Sequence, residues 1–506
     1  MPDDILGDDA EIVEQLFPDD IPEPEAKRRV TAKGAAIVSA RVVAGLVGIG
    51  VAVATIGASA LVPLPSVSFT PASESITPVP TAQQLVCAGA VLRLADDQGE
   101  GATTPSAIAG RPSVDYAASA GPVDGTPLEQ SDAATGGTDA APLLVSTPPG
   151  ATESAAEAAA TLISGAQVQQ ADVGEFVGLT ASSCASAGGD SWLPAGSTTV
   201  GRTTLITLSN PTEVPATVDL ELFDATGKVS APGTNGIVVP SNGQRVLSLA
   251  GFVPNVPNPV VHVTSNGGQV VANLQQVTVR GLDPGGVDIV AASAAPALVT
   301  AIPGVAITTL ADVQALLAGG QNFQDLLPIV RVFAPGTGTV NGTVAIIPED
   351  GSNTGAVLTF DFEAGRAVDV PLDDLAEGSY TVVVTTSMPT VASARVASAL
   401  GPVSDFAWIA SAPALTEQAL VTVADGPSPV VHLHNLGAEA ITVALGDQQV
   451  AIAPGASSAV AIAPGTYELT GFAQLAVSVT FAGGGNVAGY PALPPGSVST
   501  PVTVYP

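Results

Sequence analysis

From Thr198 onward, apolar and polar residues alternate in short runs bounded by Gly, Pro, Asn and Asp. Runs of about four to eight residues with turns about every 8–12 positions are the signature of an all-β sandwich, because successive strand side chains point to opposite faces. The pattern recurs three times. TLITLSN (204–210), IVRVFAP (329–335) and VVHLHN (430–435) each lead through a short turn to a second apolar run. A strand, turn and strand follow at 236–249, 358–372 and 449–462, with Gly243, Gly365 and Gly455 at equivalent turns. Each copy closes on a strand pair, at 260–276, 379–396 and 466–481. The fold class expected is mainly β: an amino-terminal transmembrane helix followed by tandem immunoglobulin- or fibronectin-like β-sandwiches. Three copies are few for a propeller-like closure, which needs at least about four blades, so a row of sandwiches is expected.

A different pattern occupies Val42 to Val62, VVAGLVGIGVAVATIGASALV, which is apolar throughout and free of charge and proline. About 21 residues at a helical rise of about 1.5 Å match the roughly 30 Å hydrocarbon core of a bilayer. Lys27, Arg28, Arg29, Lys33 and Arg41 precede it, and no further base occurs until Arg93. The positive-inside rule then puts the amino terminus in the cytoplasm and the bulk of the chain outside. Cleavage at Ala58-Ser59-Ala60 is the alternative to a retained anchor; the long charged leader and long apolar run favour retention. The expected organisation is an acidic tail with a basic cluster (1–41), the membrane helix (42–62), and a Pro/Ala/Ser/Thr-rich stalk with a few strands (63–190). Sandwich repeats follow over 191–305, 328–405 and 406–506. Thr309 to Leu327 reads as a helical linker (306–327) with Thr309 as N-cap.

Composition sharpens this. Aromatics are only 4% and charged residues 12%, so long charged surface helices and aromatic sugar platforms are disfavoured. The net charge of -32 splits into -5 for residues 1–41, with ten acids against five bases, and -27 for the remainder, with 36 against nine. Lys228 is the one lysine after the apolar segment. Such a chain excludes nucleic acid as a partner, because phosphate binding depends on Lys and Arg. Cys87 and Cys184 are the two cysteines, both beyond the apolar segment, and in an oxidising compartment their simplest state is a disulfide. Two unpaired buried thiols, or a metal or redox site, are the alternatives, although no C-x-x-C or adjacent His accompanies either.

Candidate chemistry is sparse. His432 and His434, at i and i+2, share a strand face and offer half a metal site; the third histidine is His262. Glu349-Asp350 and Asp373-Asp374 are paired carboxylates of the kind a glycosidase needs, but their turn-like contexts are the commoner explanation, with weak surface calcium binding next. No H-E-x-x-H, G-x-S-x-G, Walker loop or S-x-x-K occurs. Trp192 and Trp408 lie at repeat junctions, where a Trp seals an inter-domain core. No catalytic residue, metal or cofactor is assigned.

Trp192, Gly201-Arg-Thr-Thr, Ser209-Asn-Pro-Thr, Ala216-Thr-Val-Asp-Leu, Val238-Val-Pro and Pro259-Val-Val-His-Val, with the Cys87 and Trp408 segments, carry a resemblance. The chain resembles an uncharacterised family of membrane-anchored exported proteins of high-GC Gram-positive bacteria, a domain of unknown function. The resemblance implies location and architecture, and no catalytic residue. The expected function is a non-catalytic structural or interaction module of the cell envelope. Its partner is expected to be an envelope protein or a polysaccharide-assembly component, with membrane contact through residues 42–62. Two alternatives stand beside it: an envelope enzyme using paired carboxylates, and a receptor signalling to the acidic tail.

Overall fold

The computed structural model describes residues 74–76, 83–94, 105–131, 140–147, 161–352, 355–416, 418–494 and 502–504. The acidic tail and the apolar segment 42–62 lie outside the described residues. Among those described, no helix is long and apolar enough to cross a membrane. The chain is mainly β, and one α-helix of any length, Leu310–Ala318, is described.

Each of the three repeats is a two-sheet unit of the same plan. In the first, the strands in chain order are Asp190–Leu193, Arg202–Asn210, Ala216–Asp224, Gly227–Val229 with Ile237–Val239, Gly243–Ser248, Val260–Gly267, Val271–Arg280 and Asp283–Ala291. One sheet runs first-sixth-third-fourth and the other fifth-second-seventh-eighth. The second repeat, Ala297–Ile307 to Val403–Ala410, and the third, Ala419–Val423 to Asn486–Pro491, repeat both orders. In the second repeat the sixth and seventh strands are the two halves of one long strand, Gly378–Leu400, which serves both sheets. Alternation makes the cores: Val340, Val344, Val382 and Val384 of one sheet face Val330, Val332, Ala392 and Ala394 of the other. The unit boundaries therefore differ from those expected. Each unit begins on a strand that precedes its most legible text, so Ala297–Ile307 belongs with the second repeat, and residue 406 falls inside that repeat's eighth strand.

The stretch expected as a stalk holds, from Gln84, a fourth unit. Gln84–Cys87, Leu143–Ser146 and Asp124–Pro127 pair in the first-sixth-third order; Ser113–Ala118, Ile163–Val173 and Phe176–Ser183 pair in the second-seventh-eighth order. It lacks a fourth strand and a fifth among the described residues. With four units the expected row becomes a closed ring, in which the first-strand face of each unit packs on the seventh-strand face of the next. Trp192 and Val260 meet Phe333, Ala367 and Val391. Ala301 meets Ala476, and Val421 shares a core with Ala166 and Val168. Val86 and Leu128 meet Val271, which closes the circle.

Two local expectations also change. Thr309 is the N-cap residue as expected, but it adopts φ 50° and makes no side-chain cap; its hydroxyl instead accepts the Ala399 N–H at 2.9 Å. At the turn before the fifth strand, Gly365 (φ 81°) and Gly455 (φ 67°) take the left-handed conformation, but in the first repeat Asn242 (φ 48°) does so in place of Gly243.

Candidate functional site

The four eighth strands, Phe176–Ser183, Asp283–Ala291, Val403–Ala410 and Asn486–Pro491, converge along the middle of the ring. On this axis lies Asp405, which is 1% exposed. Its Oδ2 accepts N–H groups from Leu179 at 2.9 Å and Val487 at 3.2 Å, and its Oδ1 accepts that of Val287 at 3.3 Å. One carboxyl thus holds a backbone donor from each of the other three units. Space for it is made by glycine: a Cβ on Gly178 would stand 2.4 Å from Oδ1, and one on Gly286 2.8 Å. Burial pushes the Asp405 carboxyl up to about 7 despite these donors. Asp288, one strand over, accepts the Trp408 N–H at 2.7 Å. Burial, reinforced by the charge of Asp405, raises Asp288 well above the carboxylate range.

The boundaries between units hold the other buried charges. Between the first and second repeats, Arg331 is 0% exposed and forks onto Asp369 at 2.8 and 3.1 Å. Its remaining donors reach the carbonyls of Gly196 (2.8 Å), Pro259 (3.2 Å) and Pro257 (3.1 Å). Its guanidinium lies 4.5 Å from the Trp408 ring, and that of Arg395 lies 5.6 Å from the same ring. Burial brings Arg395 down to about 10. Asp325, between the two repeats, takes Arg202 at 2.8 Å and Arg280 at 2.9 Å, and these two cations hold its carboxyl below the usual range against the cost of burial. Four of the nine bases beyond residue 41 are therefore used at this one boundary. The boundary between the second and third repeats holds the buried Glu349–His432 pair, and neutral groups also join the remaining boundaries. Gln275 brackets Leu92 at 2.7 and 2.6 Å, the Ser478 hydroxyl donates to Pro303 O, and Ser164 accepts the Thr422 N–H at 3.1 Å.

Of the candidate residues singled out in the sequence, Glu349, His432 and the two tryptophans serve contacts between units, and the others do not. Cys87 and Cys184 form a disulfide inside the small core of the amino-terminal unit, with Leu85, Val145 and Ile163. His432 and His434 do not converge on a third ligand. His432 pairs through Nδ1 with Glu349 of the second repeat and through Nε2 with Thr480 at 2.7 Å, whereas His434 bonds Ser457 at 2.9 Å and is lowered by burial to about 4. Among the described residues, no group of three His, Cys, Asp or Glu is placed to hold a metal ion. The expected carboxylate pairs also separate. Glu349 is sealed against His432, while Asp350 is exposed and accepts the Ser352 N–H at 2.8 Å. Asp373 and Asp374 sit exposed in a turn, Asp374 at φ 59°. His262 stacks on Trp192 with centroids 3.9 Å apart, between Glu221 (3.1 Å) and Asp190 (2.8 Å). Lys228 pairs with the same Glu221, and hydrogen bonds from Lys228 and His262 lower that carboxyl.

The two acids that converge with raised pKa, Asp288 and Asp405, were not singled out for it. The sequence signals available were Gly178 and Gly286, and the placement of Asp405 three residues before a junction Trp. Both acids are 1% exposed, and neither lines the surface hollow of about 460 Å³ bounded by Ala225, Asn258 and Phe362–Asp369. Such a pair can fasten strands; it has no access to a substrate.

No curated protein matches the chain. The model of a family of unknown function, DUF5719, matches residues 133–467, from within the amino-terminal unit to the sixth strand of the third repeat. That span covers more than half of the sequence, and the chain belongs to this family of unknown function.

Proposed function

We propose that this protein is a non-catalytic, membrane-anchored interaction module of the cell envelope: a ring of immunoglobulin- or fibronectin-like sandwiches held outside the cell by residues 42–62. The observation that carries the reading is the use made of the buried charges. Asp405, Asp288, Arg331, Asp325 and the Glu349–His432 pair each join one unit to another, and none of these residues lines the surface hollow beside Asp369. Buried charges spent on rigidity suit a scaffold that presents a fixed surface. Export is supported by the disulfide, by the 21-residue apolar run, and by the basic cluster on one side of it. The partner class is an envelope protein or a component of polysaccharide assembly, because the acidic chain disfavours nucleic acid and anionic lipid surfaces.

Protease added to intact cells tests the location. It should remove the chain after residue 62 while leaving a membrane-bound amino-terminal fragment; full protection of the bulk in intact cells would overturn the reading. Crosslinking in the same cells should recover envelope proteins through residues 198–490, and recovery of random surface proteins alone would count against the partner class.

A further inference from the structure

In each repeat the second strand is enclosed on both sides, by the seventh strand and by the fifth: Arg202–Asn210, Ile329–Phe333 and Val430–Asn435 lie between two antiparallel neighbours. In the amino-terminal unit the equivalent strand, Ser113–Ala118, pairs with Ile163–Val173 alone among the described residues. The chain that would supply the fifth strand runs between the third strand, which ends at Pro127, and the sixth, which begins at Leu143. Its described start goes elsewhere. Gln130 and Ser131 pair in parallel with Gly243 and Gln244 of the first repeat. Residues 132–139 read Asp-Ala-Ala-Thr-Gly-Gly-Thr-Asp, with adjoining glycines, two acids and no apolar β-branched residue, a poor strand sequence.

Exposure follows this difference. Ile329–Phe333 is buried at every position, whereas no residue of Ser113–Ala118 is fully buried. Val114 and Tyr116 are half-buried against Leu85, Cys87, Val145, Ile163 and Cys184. A strand edge of this kind offers a row of backbone donors and acceptors, and half-covered apolar side chains beside them.

We infer that the outer edge of Ser113–Ala118 is an acceptor site for an extended segment of a partner protein, which adds antiparallel as the unit's fifth strand. The three internal fifth strands show what fits. Leu247, Val370 and Val460 stand opposite Ile206, Val330 and Val431, and the last two of each set are buried core residues. Around them are small or polar residues, as in Ser457–Ala461, SSAVA. The ligand chemistry is therefore a strand of about five or six residues with one aliphatic side chain flanked by small neutral ones. That the partner belongs to the envelope rests on the proposed function; the acceptor edge does not.

The probe is a fluorescent peptide copying residues 455–463, GASSAVAIA, titrated into the full-length protein in detergent. Saturable one-to-one binding is expected, weakened at least about tenfold when the position of Val460 is Asp in the peptide. A photoreactive residue in place of Ala459 should label Ser113–Ala118. Labelling of Val430–Asn435, by displacement of the native strand, or of the outer strands Ala356–Glu363 and Gln448–Ile452, would overturn the inference, as would absence of binding. Replacing residues 132–139 by the same peptide sequence should fill the edge in cis and reduce probe binding at least about tenfold; unchanged binding by that folded variant would also overturn it. These outcomes do not depend on where the protein resides, so they separate from failure of the envelope reading.

Discussion

The amino-terminal unit and the three repeats share one strand plan and are stabilised in different ways. A repeat has two full sheets and its own core, such as that built by Val330, Val332, Val344, Val382 and Val384. The amino-terminal unit has a small private core around its disulfide and places most of its apolar side chains elsewhere. Ala166, Val168, Leu179 and Ala181 join the core of the third repeat, and Ala171 and Phe176 pack with Val277, Val287 and Ile289 of the first. The lesson is that one strand plan can be held by ring closure and a crosslink where, among the described residues, its fourth and fifth strands are missing. Cys87 and Cys184, 97 residues apart, clip the first strand to the end of the eighth and so enclose the whole unit.

The comparison can be broken most directly at the crosslink. Cys87→Ser with Cys184→Ser should cost about 4–5 kcal/mol on the loop-closure argument. Hydrogen exchange should accelerate first in Ile163–Val173 and Phe176–Ser183, with the third repeat protected longer. Uniform loss of protection in all four units would show that the ring has no weaker member.

A cut through the stronger half is the next largest. Arg331→Ala leaves Asp369 and the carbonyls of Gly196, Pro257 and Pro259 without their buried donor, a loss of about 3–5 kcal/mol read from the urea midpoint. The first exchange changes should then fall between the first and second repeats and spare the amino-terminal unit.

The axis couples the two regions, and pH tests it. Folding raises the Asp405 carboxyl from 3.8 to about 7, so its favourable contribution is complete below pH 4 and is lost as pH rises through 7. Wild-type stability should therefore fall by up to about 2.7 kcal/mol between pH 5 and 8, the rest of the effect lying between pH 4 and 5. Asp405→Asn should flatten that slope in chemical denaturation. Glu349 acts in the opposite sense, because its carboxyl is lowered by the charge of His432; the stability it supplies is lost below about pH 4.5, outside that window.

The smallest effect is expected on the outer face of the first repeat. Lys228 is 60% exposed, and Lys228→Ala should change stability by less than about 1 kcal/mol, in the amino-terminal unit not at all.

The repeats were legible because each carries the period of two in long apolar strands and a glycine or asparagine at the same turn. The amino-terminal unit was not. Its second and third strands, SVDYAA and DGTP, lack clean alternation, and its seventh buries Gln167 and Gln169, whose amides bond Gly89 and Val91 rather than solvent. Polar side chains in buried positions hide a strand from any reading by hydropathy. The pairing of Glu349 with His432 was equally out of reach, since 83 residues separate partners that meet only across a unit boundary.

What the sequence determined by itself was the β class, the threefold recurrence, the apolar segment with its basic flank, and the cysteine pair, each a local pattern or a matter of counting. Only the tertiary structure decided that there are four units, that they close into a ring, and that Asp405 takes a backbone donor from each of the others. Closure depends on which faces meet at long range and on where one buried carboxyl finds its N–H partners, and neither leaves a periodic trace along the chain.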